Sequence, residues 1–410
     1  MACKSYKWIR TRDEPKILAS LKDTRSLVET AKVFGVHSEA LRNLLNRWGS
    51  DYRRLLGEDH YARALTKEQV HQLAEELRES RAEALTGEKI KRFVEEARAT
   101  PMEEPDWVLR PRNRKPSDPG IPVLFVSDEH VGEVVKPSQV AGKNEYNLEI
   151  AQGRYQRLTQ KFLELSFRYA PGLANPHYPG AVVVFGGDGV SGTIHEELVA
   201  TNEQPIMPCV LALRDWRVAM LRAFLAEFGH LFVVGVAGNH ARTTKRIISK
   251  DMVYGSFDWL CMQFVARAFE GDKRVHFLIP DGLDARFRLY GLNYVASHGY
   301  EQKGGDGMIG AIGPITRGDM KRRARDAGID LAYHVALSAH YHQYMPGRTR
   351  IVNGSLIGYN EYAYQQRFAY EPPIQAGWIS HPELGITYQF PVFVEPPKPA
   401  EKTPWISWVK

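Results

Sequence analysis

Residues 123–130 read VLFVSDEH, an apolar run that ends in two acids and an imidazole. Val123–Ser127 has the β-branched and aromatic content of a strand buried on both faces. Its carboxyl end delivers Asp128 and His130. Residues i and i+2 of an extended chain point the same way, so both side chains are placed to reach one ion. Four further runs repeat the pattern. Ala181–Phe185 leads into Gly187-Asp188, Leu231–Val236 into Gly238-Asn239-His240, Tyr294–Ala296 into His298-Gly299, and His334–Leu337 into His340-Tyr341-His342. Sites in sheet proteins gather at the carboxyl ends of strands. Five such ends in one layered α/β stretch therefore point to a single centre.

The residue types say what that centre holds. Asp188 offers two carboxylate oxygens and can bridge two ions. Asn239 offers a neutral amide oxygen, His298 a ring nitrogen, and His340 with His342 repeats the i, i+2 relation. Mixed nitrogen and oxygen donors without thiolate suit manganese, iron, zinc or a similar divalent ion. Two such ions about 3.5–4 Å apart hold both oxygens of a phosphoryl group and generate hydroxide at neutral pH. His240, one residue beyond Asn239, is the candidate catalytic acid for the leaving oxygen.

In the order D-x-H, GD, GNH, H and HxH, these motifs resemble the calcineurin-like metallophosphoesterases over roughly residues 121–360. The resemblance implies an α/β fold, a two-sheet sandwich flanked by helices, with the site on one edge. It assigns Asp128, His130, Asp188 and His342 to a first metal, and Asp188, Asn239, His298 and His340 to a second. It implies two divalent ions (manganese first; iron, zinc or magnesium as alternatives) and attack by a metal-bridging hydroxide. Val352-Asn353-Gly354-Ser355 resembles the strand and turn that follow the last motif. Two positions depart from the pattern. Ala241 stands where an acid often orients the histidine of GNH, which leaves the orientation of His240 open. Ala339 replaces the glycine before His340, a small change expected to be tolerated.

Around these motifs the readings are looser. Arg242 reads as a bidentate phosphate contact or as a salt-bridge partner. His195 reads as a substrate contact or as a loop histidine without a role. Residues 301–313 look like a Gly-rich lid without Walker spacing. Lys321, Arg322, Arg323 and Arg325 are expected to start a helix and to form a solvated basic face. Tyr359, Tyr362, Tyr364, Phe368 and Tyr370 are read as core, with base stacking as the alternative.

Residues 17–48 carry a second pattern. Ile17, Leu18 and Leu21, then Leu27, Val28, Ala31 and Phe34, then Leu41, Leu44, Leu45 and Trp48 repeat at helical spacing. Gly35 sits in the turn, where positive φ is needed. This is the pattern of a helix-turn-helix. Its third helix would present Glu39, Arg42, Asn43, Asn46 and Arg47, of which Arg42, Asn43, Asn46 and Arg47 are the DNA-binding candidates. Lys4, Lys7, Arg10 and Arg12 could supply a basic arm. Protein contacts or homo-oligomerisation are the alternative use. The expected organisation is a helix-turn-helix-like domain over 1–60, a helical connector and Pro-rich linker over 61–120, a metallophosphoesterase-like domain over 121–398 and a tail over 399–410.

Composition agrees with a globular chain: 43% hydrophobic, 25% charged and a net charge of +6 over 410 residues. That charge is compatible with a polyanionic partner. Three scattered cysteines without a CxxC pair argue against a disulfide framework or a structural zinc site. No apolar leader or membrane-length run is present in the sequence, so a cytoplasmic location is expected. The functional expectation is a metal-dependent DNA phosphodiesterase, that is, a nuclease. The alternatives are a phosphatase or small-molecule phosphodiesterase with a regulatory N-terminal module, and a DNA-binding scaffold with a degenerate site.

Overall fold

Strand β1 (Ile121–Val126) has no solvent-facing side, because every one of its residues is buried. Its even positions and its odd positions serve two different cores, and the same alternation runs through β2 (Ala181–Phe185) and β3 (Leu231–Gly235). Leu124, Val126, Val183, Phe185, Leu231 and Val233 join a cluster with the helices. Val123, Phe125, Val182, Val184, Phe232 and Val234 join a cluster with the second sheet. An apolar run can alternate between two apolar environments only in the middle of a layered domain.

The computed structural model describes residues 13–24, 26–36, 38–48, 52, 105–109, 120–169, 176–302 and 311–395. They fall into two compact units, one ending by Phe93 and the other starting from Val94.

In the first unit, α1 (Glu14–Thr24), α2 (Leu27–Val33) and α3 (Ser38–Arg47) close over Ile17, Leu21, Leu27, Ala31, Leu41, Leu44 and Leu45. Val28, expected inward, is 47% exposed. The seven-residue α2 is too short to bury a wide stripe. Gly35 takes φ +62°. Its N–H bonds the Lys32 carbonyl, and the Val36 N–H bonds the Ala31 carbonyl, so the turn ends α2 as a Schellman motif. Arg42, Asn43, Asn46 and Arg47 are exposed on α3, and the Tyr52 hydroxyl donates to Asn46 Oδ1 at 3.1 Å. Residues 4–12 lie outside the described residues.

In the second unit, Val108 of α4 (Asp106–Leu109) is buried in the cluster between the sheets, although the sequence places it in a linker. The larger sheet has the order β10-β9-β1-β2-β3-β4. It adds β4 (Val275–Leu278), parallel to β3, β9 (Ile374–His381), antiparallel to β1, and β10 (Gly385–Phe393), antiparallel to β9. The smaller sheet has the order β5-β6-β7-β8, built from β5 (Ala285–Leu289), β6 (Leu292–Ala296), β7 (Val335–Ser338) and β8 (Arg350–Val352). Its described residues also form helices α5 (Leu148–Glu164), α6 (Glu196–Thr201), α7 (Ile206–Phe228), α8 (Phe257–Arg267), α9 (Ile312–Ala327) and α10 (Glu361–Gln365). The expected two-sheet sandwich flanked by helices is what the chain forms. Among the described residues, no helix is long and apolar enough to cross a membrane.

The register places the site. Val126 pairs Phe185, and Phe185 pairs Gly235, so β1, β2 and β3 end level. In the smaller sheet Ala296 pairs Leu337, and Ser338 pairs Val352. All five motif-bearing loops leave from these ends.

Candidate metal centre

The loops do not leave as extended chain. Asp128 (φ 51°), His130 (46°), Asp188 (52°), His340 (71°) and His342 (52°) all sit in the left-handed region. The i, i+2 argument, which assumes extended chain, therefore fails at both pairs. Asp128 and His130 still fall in one ligand group because the backbone curls over the strand end, whereas His340 and His342 fall in different groups. A non-glycine residue in this region costs on the order of 1–3 kcal/mol and persists only where its surroundings hold it.

Here they do. Asp128 N–H bonds the Gly187 carbonyl, His130 N–H the Asp188 carbonyl, and Val131 N–H the Gly189 carbonyl, at 3.0–3.1 Å. The Asp128 carbonyl in turn accepts from Leu356 and Ile357. Two glycines make the approach feasible. A Cβ on Gly187 would lie 2.4 Å from the Gly238 nitrogen, and one on Gly238 2.1 Å from Asp188 Oδ1.

The ligand atoms converge in three groups whose members lie within 4.8 Å of one another: Asp128, His130 and His342; His130, Asp188 and His240; Asp188, His298 and His340. The first brings together three of the four residues expected at one ion, and the third three of the four expected at the other, while Asp188 joins the second and third groups. Asp128 Oδ2 accepts from Ser127 Oγ at 2.7 Å and from the His340 N–H at 3.2 Å. Asp188 Oδ1 accepts from the His240 N–H at 2.7 Å. His298 Nδ1 meets the Gly186 carbonyl at 2.8 Å, which turns Nε2 toward Asp188 Oδ2, 2.8 Å away. Both ring nitrogens of His130 and Asn239 Oδ1 are buried without a hydrogen-bond partner, while Asp128 Oδ1 and His298 Nε2 face only another ligand residue, His342 Nε2 at 3.2 Å and Asp188 Oδ2 at 2.8 Å. Buried polar atoms are ordinarily satisfied. Unsatisfied nitrogen and oxygen donors of this kind fit divalent cations.

The electrostatics carry the same message. Burial would raise both acids, but His342 and His298 outweigh it at Asp128, and His298 and His240 at Asp188, so both stay below the ordinary carboxylate range. Burial would lower His298, but Asp188 carries it up to about 10. Burial and the neighbouring His298 push His340 down to about 4. Without metal, a proton on His298 compensates the acids. Metal ligation requires neutral imidazole, so loading between pH 7 and 9 should release that proton and tighten as pH rises toward 10. Calorimetry in buffers of different ionisation enthalpy would measure it. About one proton or more per metal pair is expected, and none would contradict the ligand role of His298.

Several supporting roles escaped the sequence reading. Asp258, at the start of α8, accepts from the backbone N–H of Asp188 and of Gly238, both at 2.9 Å, and of Gly189 at 3.0 Å. It ties the second and third motif loops together. Burial, and after it the nearby Asp188, push its carboxyl up to about 6. Glu129, between two ligands, pairs with Arg217 of α7 at 2.8 Å, both being fully buried, and accepts from the Tyr155 hydroxyl. Asn353 donates to Ser127 Oγ, Gln375 Oε1 and the Phe125 carbonyl, so the residues after β8 brace the end of β1. Polar residues inside apolar segments were the available signal.

The remaining candidates fall out unevenly. His240 Nδ1 lies 3.2 Å from the Ser191 carbonyl, which stands in for the acid missing at Ala241. Ala241 itself is buried in the helix-side core, and Ala339 packs between the sheets. His195 is exposed on the loop before α6, its ring 5.3 Å from that of His240. Arg242 bonds the carbonyls of Asn239, Thr244 and Lys245, so its guanidinium shapes the loop it belongs to.

The basic run 321–325 does not start a helix but lies in the second half of α9. Arg322 is buried on Ser297 and Glu301, Arg323 pairs with Asp319, and Arg325 with Asp284 and Asp326. Tyr362, Tyr364, Phe368 and Tyr370 are exposed rather than core, because α10 and the turn after it protrude from the sheets. Residues 303–310 of the expected lid lie outside the described residues.

Comparison with known proteins adds little. No protein-family profile matches the chain, and no curated protein does. Solved structures align at low similarity. A conserved uncharacterised protein described as a predicted phosphoesterase, from Streptococcus pneumoniae, is 10% identical with a TM-score of 0.24, over 63% of this chain and 82% of that one. The zinc complex of wild-type Vps29 from Entamoeba histolytica is 10% identical with a TM-score of 0.27, over 67% of this chain and all of that one. Vacuolar protein sorting 29 from Cryptosporidium parvum is 11% identical with a TM-score of 0.25, over 63% and 84%. Superpositions of that quality decide nothing about this chain.

Proposed function

We propose that the chain is a binuclear metal-dependent phosphoesterase of the calcineurin-like kind, acting as a DNA phosphodiesterase in the cytoplasm. One observation carries the reading: the ligand atoms of Asp128, His130, Asp188, His298, His340 and His342 converge in adjoining groups, and both ring nitrogens of His130, with Asn239 Oδ1 on the loop that carries His240, are buried without a hydrogen-bond partner. Asp128, His130, Asp188 and His342 would hold one divalent ion, and Asp188, Asn239, His298 and His340 the other. Manganese fits this oxygen and imidazole set, as do iron, zinc and magnesium. When bound, the pair supplies Lewis acidity toward a phosphoryl group and a nucleophile at neutral pH.

The protein's own groups do the rest. Left-handed backbone and the Asp258 carboxylate fix the loops before any substrate arrives, so little reorganisation is left for the reaction. His240, with Nδ1 directed at the Ser191 carbonyl, keeps Nε2 for a proton passed to the leaving oxygen. The DNA reading draws support from the first unit, a three-helix module with Arg42, Asn43, Asn46 and Arg47 exposed on its third helix. It also draws on the net charge of +6.

The test is a cleavage assay with manganese on single-stranded, double-stranded and nicked DNA. Cleavage is expected, and His240→Ala should slow it by about 10²–10⁴-fold. The same variant should lose far less on bis(p-nitrophenyl) phosphate, whose leaving group needs no proton. Rapid hydrolysis of p-nitrophenyl phosphate with no cleavage of any nucleic acid would replace the nuclease by a phosphatase.

A further inference from the structure

Segment 359–371 holds four exposed aromatic rings beside the metal centre. Tyr362, Tyr364, Phe368 and Tyr370 are 62%, 48%, 47% and 49% exposed. They are not loose. Asn360 caps α10 through the Ala363 N–H at 3.0 Å. Phe368 N–H returns to the Ala363 carbonyl and Arg367 N–H to that of Tyr364. Tyr359 donates its hydroxyl to the Phe368 carbonyl at 3.1 Å. The Tyr362 and Phe368 rings then stand edge to face, with centroids 5.9 Å apart.

Both ends of the segment are fastened to first-metal loops. Asn360 Nδ2 donates to Glu133 Oε1 at 3.0 Å, and Glu133 Oε2 lies 3.5 Å from His130 Nδ1. At the other end Glu371 accepts from the Tyr344 N–H at 2.7 Å, two residues past His342. Tyr362 is two residues from Asn360 and Tyr370 one from Glu371, and at no more than about 3.6 Å per residue the chain holds both next to the first-metal loops.

We infer that this segment is a stacking platform for the bases of a single-stranded nucleic acid whose backbone lies in the metal centre. The inference rests on the phosphodiesterase reading above. The composition of the patch selects this occupant. Between the rings stand Gln365, Gln366 and Arg367, all exposed, and no Leu, Ile, Val or Met occurs from 359 to 371. Aromatic faces with amide and guanidinium groups suit bases and phosphates, since every base offers a π-face. A protein partner would find no aliphatic anchor there. The loop that leaves His240 carries Arg246 and Lys250, both exposed, which suits a polyanionic backbone.

The experiment uses the full manganese-loaded chain on short single-stranded oligonucleotides, either complete or abasic next to the cleaved bond. Tyr362→Ala and Phe368→Ala are compared with the wild type after thermal unfolding shows that both are folded. Each is expected to raise KM about tenfold with kcat little changed. Abasic sites should raise the wild-type KM by a similar factor and leave the variants where they are. Equal KM for wild type and variants, with oligonucleotide cleavage intact, overturns the platform alone. If the wild type hydrolyses bis(p-nitrophenyl) phosphate but no oligonucleotide, the nuclease reading falls and the platform with it. Variants that alter sedimentation but not KM make the patch a contact between copies, and also overturn it.

Discussion

Asp188→Asn is expected to reduce phosphodiester hydrolysis by the metal-loaded protein about 10³-fold or more. Asp188 shares one converging group with His130 and His240 and another with His298 and His340, and both of its oxygens are in use. Oδ1 accepts from the His240 N–H, and Oδ2 faces His298 Nε2. An amide removes the charge that the two proposed ions would share. Whichever way it turns, its NH2 meets either a backbone donor or the nitrogen meant for a metal. The Asp188 N–H bond to Asp258 does not depend on the side chain, so the loop keeps its support. The measurement is kcat/KM on bis(p-nitrophenyl) phosphate together with metal content after dialysis. Activity and metal stoichiometry should fall together. Near-wild-type turnover with both ions retained would refute the bridging role.

The second large effect concerns folding. Glu129→Gln should lower stability by about 3–5 kcal/mol, because it leaves the Arg217 guanidinium charged in a dry interior. Arg217 is 1% exposed, stacks over the Phe185 ring at 4.4 Å, and directs Nε and Nη2 at Glu129 Oε1. In a domain of this size that amounts to roughly 10 °C in the unfolding midpoint. The double variant Glu129→Gln/Arg217→Met should recover much of the loss, because no unpaired charge is left behind. Thermal unfolding of the single and double variants measures both. A single variant within a degree or two of the wild type would show that the pair is solvated in solution.

Much of this centre was legible beforehand, for a definite reason. A strand buried on both faces reads as an unbroken apolar run, so VLFV and AVVVF announce where they end and which polar residues follow. Ligand chemistry then sorts Asp, Asn and His into roles. What sequence could not show is backbone handedness. Nothing in SDEH says that Asp128 and His130 lie at positive φ. Asp258 was hidden because an acid in the first turn of a helix is ordinary there, and its use as a clamp on Gly189 and Gly238 depends on tertiary placement. Glu129 looked like a spacer between ligands. The tyrosines of 359–370 were read inward because aromatic content reports on burial only when periodicity supports it, and here there is no regular period.

Each proposed ion draws ligands from both layers of the sandwich. Asp128, His130, Asp188 and Asn239 leave the larger sheet, whereas His298, His340 and His342 leave the smaller one. The pair is in this sense a rivet through two plates. A sliding of one sheet along the other changes ligand distances at both ions at once, so neither site can loosen while its neighbour stays tight. The apolar layer between the sheets, from Phe125 and Val184 to Tyr294 and Leu337, thereby sets the tolerance of the chemistry at the edge.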